Sequence, residues 1–155
     1  MNSDLIKILQ VNKKLKTRDE IREFRAALNE LAKQELDDSL LPELFLAFDD
    51  GARNVEMLEP LVNLVLKFDA KAYVDAMIRV TEELAQTSPK WLRILYIYVL
   101  RDDETVYLRQ IFATLPESVQ QTIRHILTVI AAYKDDDDPQ VTKSTQEAVT
   151  SILSG

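Results

Sequence analysis

No stretch of this sequence alternates apolar and polar residues with the period of two that a half-buried β-strand requires. The apolar residues recur instead at the three- and four-residue spacing of an amphipathic helix. Two clear stripes are Tyr73, Met77, Val80, Thr81 and Leu84, and Val119, Ile123, Ile126, Leu127 and Ile130. The sequence therefore predicts an all-α fold of seven or eight helices packed as successive antiparallel hairpins, an arrangement that HEAT-like repeats also adopt.

Several helix starts can be placed from capping residues. Thr17 precedes Glu20 by three positions, which is the spacing of a capping box. Asp69 is placed to cap a helix over residues 70–86, and Ser88 before Pro89 predicts another N-cap. These residues divide the chain into helices with short connections.

Two segments need separate interpretation. Residues 91–100 are apolar on nearly all sides, so we expect a central helix that is buried on most faces. Residues 55–68 resemble one helix, but Pro60 should kink it or move its start to about Leu58. The turn Asp49-Asp50-Gly51 predicts a helix end at which Gly51 takes the left-handed conformation.

The C-terminal residues differ from the rest. We expect a single helical domain over residues 1–133, followed by an acidic linker that contains Asp135–Asp138. Residues 139–153 are polar and rich in Thr and Ser, which predicts a weak C-terminal helix or a disordered tail for 134–155.

Composition excludes several classes of enzyme. The chain has no cysteine, two glycines and a single histidine, His125, so it lacks a thiol nucleophile, a glycine-rich phosphate loop and a multi-histidine metal site. No nucleophile, base and orienting group can be assembled. We expect a protein that is not an enzyme and binds no cofactor or metal, and the absence of a leader or a long apolar run predicts a cytoplasmic location without membrane contact.

Charge indicates a basic partner. The net charge is −7, and residues 35–70 hold nine acidic side chains against two basic ones, which argues against direct nucleic-acid binding. Acidic residues in exposed turns and helix ends, with tyrosines as anchors, are the predicted partner-binding residues. They are Asp37, Asp38, Asp49, Asp50, Glu56, Glu59, Tyr96, Tyr98, Asp102, Asp103 and Glu104.

Two other functions fit parts of the pattern. Glu56 and Glu59 lie three residues apart on one helix face, and Glu35 and Asp38 share that spacing, as in a metal-dependent all-α nucleotide hydrolase. A solvated acidic face explains both pairs more simply. A helical, HEAT-like scaffold that binds another protein in a groove is the first alternative to be kept, and the hydrolase is the second.

Three stretches in order, LPELFLAFDDG (41–51), MLEPLVNLVLKFDAKAY (57–73) and SPKWLRILYIYVLRD (88–102), resemble the all-α immunity proteins of bacterial polymorphic toxin systems. The similarity is to the family called immunity protein thirty, and it extends over residues 41–131. The matching positions are Phe48, Asp49, Asp50, Met57, Phe68, Asp69, Tyr73, Pro89, Trp91 and Leu100. Positions near Asn63 and at residues 98–101 depart from that pattern.

The resemblance implies an inhibitor without catalytic activity. Such a protein binds the C-terminal domain of a cognate toxin in a contact-dependent growth inhibition system and blocks its active site or substrate path. A nuclease toxin has a basic cleft, which the acidic segment 35–70 could occupy in place of phosphate.

Overall fold

The computed structural model describes residues 2–133 and 137–154, except for the side chain of Asp102. Within these residues the chain forms nine α-helices joined by turns, some of which are 3-10 helices, and no strand. The helices are α1 (Asn2–Val11), α2 (Arg18–Ala32), α3 (Leu41–Phe45), α4 (Glu59–Val65), α5 (Ala70–Thr87), α6 (Pro89–Ile97), α7 (Asp102–Ile111), α8 (Glu117–Ala132) and α9 (Pro139–Ser154). The predicted all-α class is confirmed.

Two helices begin at predicted caps. The Thr17 hydroxyl accepts a hydrogen bond from the amide of Glu20 at 3.0 Å, and Asp69 Oδ1 accepts one from the amide of Ala72 at 2.8 Å. Pro60 lies in the first turn of α4, which begins at Glu59 after a 3-10 turn. A proline is tolerated there because its missing N–H has no partner in the first turn.

α5 is the central helix. It packs against α3, α6, α7 and α8, while α1 packs against α2. Its buried side chains are Tyr73, Val74, Ala76, Met77, Val80, Thr81 and Leu84. Thr81 is held in the core by two hydrogen bonds, one to the carbonyl of Met77 at 2.7 Å and one with the Tyr96 hydroxyl at 2.6 Å. Because the Thr81 hydroxyl is paired, burying it costs little free energy, and other helices can pack against α5 on several sides.

α6 is less covered than its sequence predicts. Trp91, Leu92, Leu95 and Tyr96 are buried, but Arg93, Ile94 and Ile97 are exposed. The expectation of a helix buried on most faces is therefore wrong for this outer face. The sequence shows that this face of α6 is apolar, but it does not show whether a neighbouring helix packs over it.

The C-terminal residues form a 16-residue helix that joins the core. Val149 and Ile152 are buried, and α9 packs against α7 and α8. Asp138 Oδ1 accepts a hydrogen bond from the amide of Val141 at 3.2 Å and so stabilises the first turn. Residues 134–136, the first part of the predicted acidic linker, lie outside the described residues.

Candidate partner-binding surface

Asp37 and Asp38 lie in the exposed turn between α2 and α3. Asp37 Oδ1 accepts a hydrogen bond from the amide of Ser39 at 2.8 Å, and this bond lowers the pKa of the Asp37 carboxyl. Asp38 is exposed, and its side chain makes no hydrogen bond or ion pair with any residue the structure describes. Both carboxylates therefore face solvent, as predicted.

Asp38 also lies where two shallow cavities meet. One has a volume of about 440 Å³ and the other about 340 Å³, and both are lined by Asp38 and Asp69. Glu35 lines the first and Asp75 the second. We call this surface, defined by Glu35, Asp38, Asp69 and Asp75, the carboxylate furrow. Three cations, Lys67, Lys71 and Arg79, lie among these acidic groups, so the furrow presents both signs of charge with a small acidic excess.

Asp75 is held in the furrow by α7. The Tyr107 hydroxyl donates a hydrogen bond to Asp75 Oδ1 at 2.6 Å. The bond is available only while the phenol keeps its proton, and it raises the pKa of Tyr107 to about 12 from the ordinary value of 10.0. This contact fixes the carboxylate of α5 against α7.

The Tyr107–Asp75 pair makes stability depend on pH in alkaline solution. Because the pKa of Tyr107 is higher in the folded than in the unfolded chain, its contribution is fully present below pH 10 and is lost as the pH rises to about 12. An ultraviolet titration of tyrosinate should show one tyrosine fewer ionising near pH 10 in wild type than in the Asp75→Asn variant. Equal titration curves for the two proteins would contradict the pairing.

Asp49 and Asp50 were predicted to face solvent, but Asp49 is buried and Asp50 is partly buried. Asp49 is 6% exposed, and its Oδ1 accepts hydrogen bonds from the amide of Gly51 at 2.6 Å and from Lys14 Nζ at 3.2 Å. The prediction of a left-handed Gly51 is also wrong, since no described glycine has a positive φ. A Cβ at this position would lie 3.0 Å from Asp49 Oδ1 and 3.2 Å from Lys14 Nζ, so a larger residue would require these side chains to shift by a few tenths of an ångström.

Asp50 caps α6 from forty residues away. Its Oδ2 accepts a hydrogen bond from the amide of Lys90 at 2.8 Å, and its Oδ1 accepts one from the amide of Trp91 at 2.9 Å. Ser88, the predicted cap, makes no capping bond and instead donates its hydroxyl to the carbonyl of Phe48 at 3.3 Å. The Phe48 and Trp91 rings lie 4.8 Å apart.

We call this arrangement of Phe48, Asp50, Ser88 and Trp91 the α6 clasp. It joins the loop after α3 to the start of α6. Three of its four members, Phe48, Asp50 and Trp91, are among the residues on which the family resemblance depends, and Ser88 lies next to a fourth, Pro89. These residues therefore stabilise the fold, and the Asp50 carboxylate is not free to contact a partner.

Glu59 begins α4 and Glu56 lies in the 3-10 turn before it, and both are exposed. Neither carboxylate makes a hydrogen bond or ion pair within the described residues. They do not line the cavities of the carboxylate furrow. In residues 2–133 and 137–154, no group of three or more His, Asp or Glu side chains is placed to hold a metal ion.

The two tyrosines have different surroundings. Tyr96 is 1% exposed, and burial raises the pKa of its hydroxyl. The expectation that it could anchor a partner at the surface is therefore wrong, since it faces α5 and Thr81. Tyr98 is half-buried, and the Arg101 guanidinium lies 5.7 Å from the centre of its ring. Tyr98 remains open to a partner.

The acidic residues at the start of α7 are only partly available. Asp103 is exposed, but the side chain of Glu104 is 12% exposed and contacts Arg101 at 3.4 Å. The side chain of Asp102 lies outside the part of the chain that the structure describes. Of this predicted group, Asp103 is the carboxylate shown to face solvent.

Sequence reasoning did not assign Glu35, Asp69 and Asp75 to the partner-binding surface. Glu35 gave no usable signal, since it lies in the non-helical connection after α2 and its spacing from Asp38 does not describe a helix face. Asp75 had none, because its place in the furrow depends on how α5 packs against the loop before α3. No helix in residues 2–133 and 137–154 has both the length and the hydropathy to cross a bilayer.

A family model described as Immunity protein 30 matches residues 11–109, which is more than half of the chain. These residues include α2 to α6, the α6 clasp and the carboxylate furrow, and most of α7. No curated protein and no solved structure matches the chain.

Proposed function

This chain belongs to the Immunity protein 30 family, and from that premise we propose that it binds a cognate toxin domain and neutralises it. The proposed inhibition covers the active site of the toxin or the path of its substrate. The role requires no turnover. An immunity protein acts by affinity and rate of association, so its functional groups are those that meet the partner.

We further propose that the toxin is a nuclease with a basic cleft. The observation that carries this proposal is a set of exposed, unpaired carboxylates in the segment with the strongest acidic excess. They are Glu35, Asp38, Glu56 and Glu59, whose side chains make no hydrogen bond or ion pair with any described residue. Unpaired surface carboxylates attract a phosphate-binding cleft without loss of internal contacts.

The structure changes which residues should be tested. Asp49 and Asp50 hold the loop after α3, so removing their charges would disturb the fold and the surface together. Asp37 caps a turn through Ser39. The four unpaired carboxylates can be neutralised without removing any of these bonds.

The first test is a quadruple variant, Glu35→Gln, Asp38→Asn, Glu56→Gln and Glu59→Gln. Its rate of association with the toxin encoded beside its gene should fall about tenfold at low salt, because surface charges act mainly on encounter. The difference from wild type should shrink at high salt, where these charges are screened. Biolayer interferometry over a salt series measures both effects, and a nuclease assay measures the loss of protection.

A matched control carries the same change of charge elsewhere: Glu23→Gln, Glu83→Gln, Glu117→Gln and Glu147→Gln, all at exposed positions. The control should associate nearly as fast as wild type. Equal slowing of both variants would show that only net charge matters. Wild-type association by the quadruple variant at every salt concentration would contradict the proposed surface, whereas absence of any binding by the wild-type protein would contradict the proposed partner.

A further inference from the structure

Two cations of the carboxylate furrow have no ion-pair partner. Lys71 and Arg79 line the cavity of about 340 Å³ together with the carboxylates of Asp38, Asp69 and Asp75. Both cations are exposed, and neither makes a hydrogen bond or ion pair with any residue that the structure describes. Opposite charges that line one cavity usually pair with each other, so their separation here requires a structural cause.

The spacing of these residues on α5 favours pairing. Lys71, Asp75 and Arg79 follow one another at intervals of four residues, so they lie on one face of the helix. An aspartate four residues before an arginine stands in the favourable order for an ion pair. On α2, Asp19 and Arg22 form a similar pair at 3.0 Å.

Tyr107 of α7 accounts for the missing pair. Its hydroxyl donates a hydrogen bond to Asp75 Oδ1 at 2.6 Å, which holds the half-buried carboxylate against α7 and leaves the Arg79 guanidinium without a partner on its own helix. Asp69 Oδ1 is also engaged, because it accepts a hydrogen bond from the amide of Ala72 at 2.8 Å. The furrow thus fixes two of its own carboxylates and keeps its cations available to another molecule.

We propose that Lys71 and Arg79 pair with acidic side chains of the toxin, and that this pairing selects the cognate toxin. The inference rests on the proposed function and specifies the partner chemistry of one part of that surface. Eight residues of helix separate the two cations by about 12 Å along the axis of α5. Basic side chains of the toxin can reach Asp38 in the same cavity, so the surface fits a toxin face that carries both signs of charge.

Mixed charge provides a specificity that acidic charge alone does not. The exposed carboxylates of residues 35–59 attract any basic cleft, whether or not it belongs to the cognate toxin. A uniformly basic cleft meets like charge at Lys71 and Arg79, which opposes its binding. Surface charge acts mainly on the rate of encounter, whereas close pairing acts on the rate of dissociation. The two cations should therefore affect dissociation.

The central test is the double variant Lys71→Glu and Arg79→Glu. Biolayer interferometry measures its dissociation from the toxin encoded beside its gene. If acidic charge alone attracted the toxin, this more negative variant would bind more tightly. Pairing with carboxylates of the toxin instead predicts dissociation about a hundredfold faster than that of wild type. The two explanations predict opposite changes in affinity.

A matched control reverses the same number of charges outside the furrow. Arg18→Glu with Lys143→Glu alters exposed residues of α2 and α9 that do not line its cavities. This control should dissociate from the toxin like wild type. The single variant Lys71→Gln should weaken binding less than Lys71→Glu does, because only the glutamate adds repulsion to a carboxylate of the toxin. Since Lys71 has no internal partner, both single variants should unfold at the wild-type temperature.

Selection is tested with a commercial basic ribonuclease as a non-cognate partner. The double variant should bind this enzyme at least as tightly as wild type does, because the like charge at Lys71 and Arg79 has been removed. Its preference for the cognate toxin should therefore shrink. Equal weakening of binding to both proteins would contradict a role of the two cations in selection.

Tyr107→Phe tests how the cations are kept available. Without the phenol hydroxyl, Asp75 can pair with Arg79, so dissociation from the toxin should become about twofold faster. The same substitution should have no effect on binding in the Asp75→Asn background, where no carboxylate competes for Arg79. An equal effect in both backgrounds would contradict the assignment of Tyr107 as a positioning residue.

The outcomes separate this inference from the proposed function. Unchanged or slower dissociation of the Lys71→Glu and Arg79→Glu variant, beside tight binding by wild type, would overturn this inference alone. Equal weakening by the control variant would also overturn it, because total charge would then explain the effect. A wild-type protein that does not bind the toxin would overturn the proposed function together with this inference.

Discussion

Replacing Trp91 by alanine should lower the free energy of unfolding by about 3–5 kcal/mol. The indole is 8% exposed and packs on the Phe48 ring at 4.8 Å, so the substitution removes a large buried surface and leaves a cavity in the α6 clasp. Urea denaturation followed by circular dichroism measures the change, and the slope of the transition should stay constant.

Tyr133→Ala is the matched control, since this aromatic ring is 73% exposed. Its loss should change the unfolding free energy by less than about 0.5 kcal/mol. If Trp91→Ala unfolds at the same urea concentration as wild type, the ring does not belong to the core.

The second large effect is expected for Asp50→Ala, which should cost about 2–3 kcal/mol. The variant removes two charge-assisted hydrogen bonds and leaves the amides of Lys90 and Trp91 without their acceptors at the first turn of α6. An ordinary N-cap supplies about 1 kcal/mol, so the effect should exceed that of one cap. Thermal and urea unfolding give the measurement.

Asp38→Ala serves as the comparison, because its carboxylate makes no hydrogen bond with a described residue and its loss should change stability little. Asp50→Asn should fall between wild type and Asp50→Ala, since the amide keeps one oxygen acceptor. A loss for Asp50→Ala no larger than that for Asp38→Ala would contradict the role of Asp50 as a long-range cap.

The sequence predicts helix starts well when the capping residue is local. Thr17 and Asp69 cap the helices that follow them, and Pro60 lies in a first turn, as expected. The prediction of a cap at Ser88 is wrong because the cap of α6 comes from Asp50, which is distant in sequence. The spacing of residues along the chain predicts contacts within a few helical turns, but it does not predict tertiary contacts between distant segments.

The candidate surface could be predicted only in part for the same reason. An acidic excess over residues 35–70 is visible in the sequence, but it does not distinguish a free carboxylate such as Asp38 from a structural one such as Asp49. Likewise, Tyr96 and Tyr98 are two positions apart, and only packing decides that one is buried against α5. Burial has to be seen before surface chemistry can be assigned.

The position of α5 links the proposed surface to the core. Asp75 of this helix lines the carboxylate furrow, and Thr81, about 9 Å further along the helix axis, is buried against Tyr96. This side of the furrow is therefore part of a packed helix and keeps its shape when a partner binds. Less free energy is then spent on ordering the surface during association.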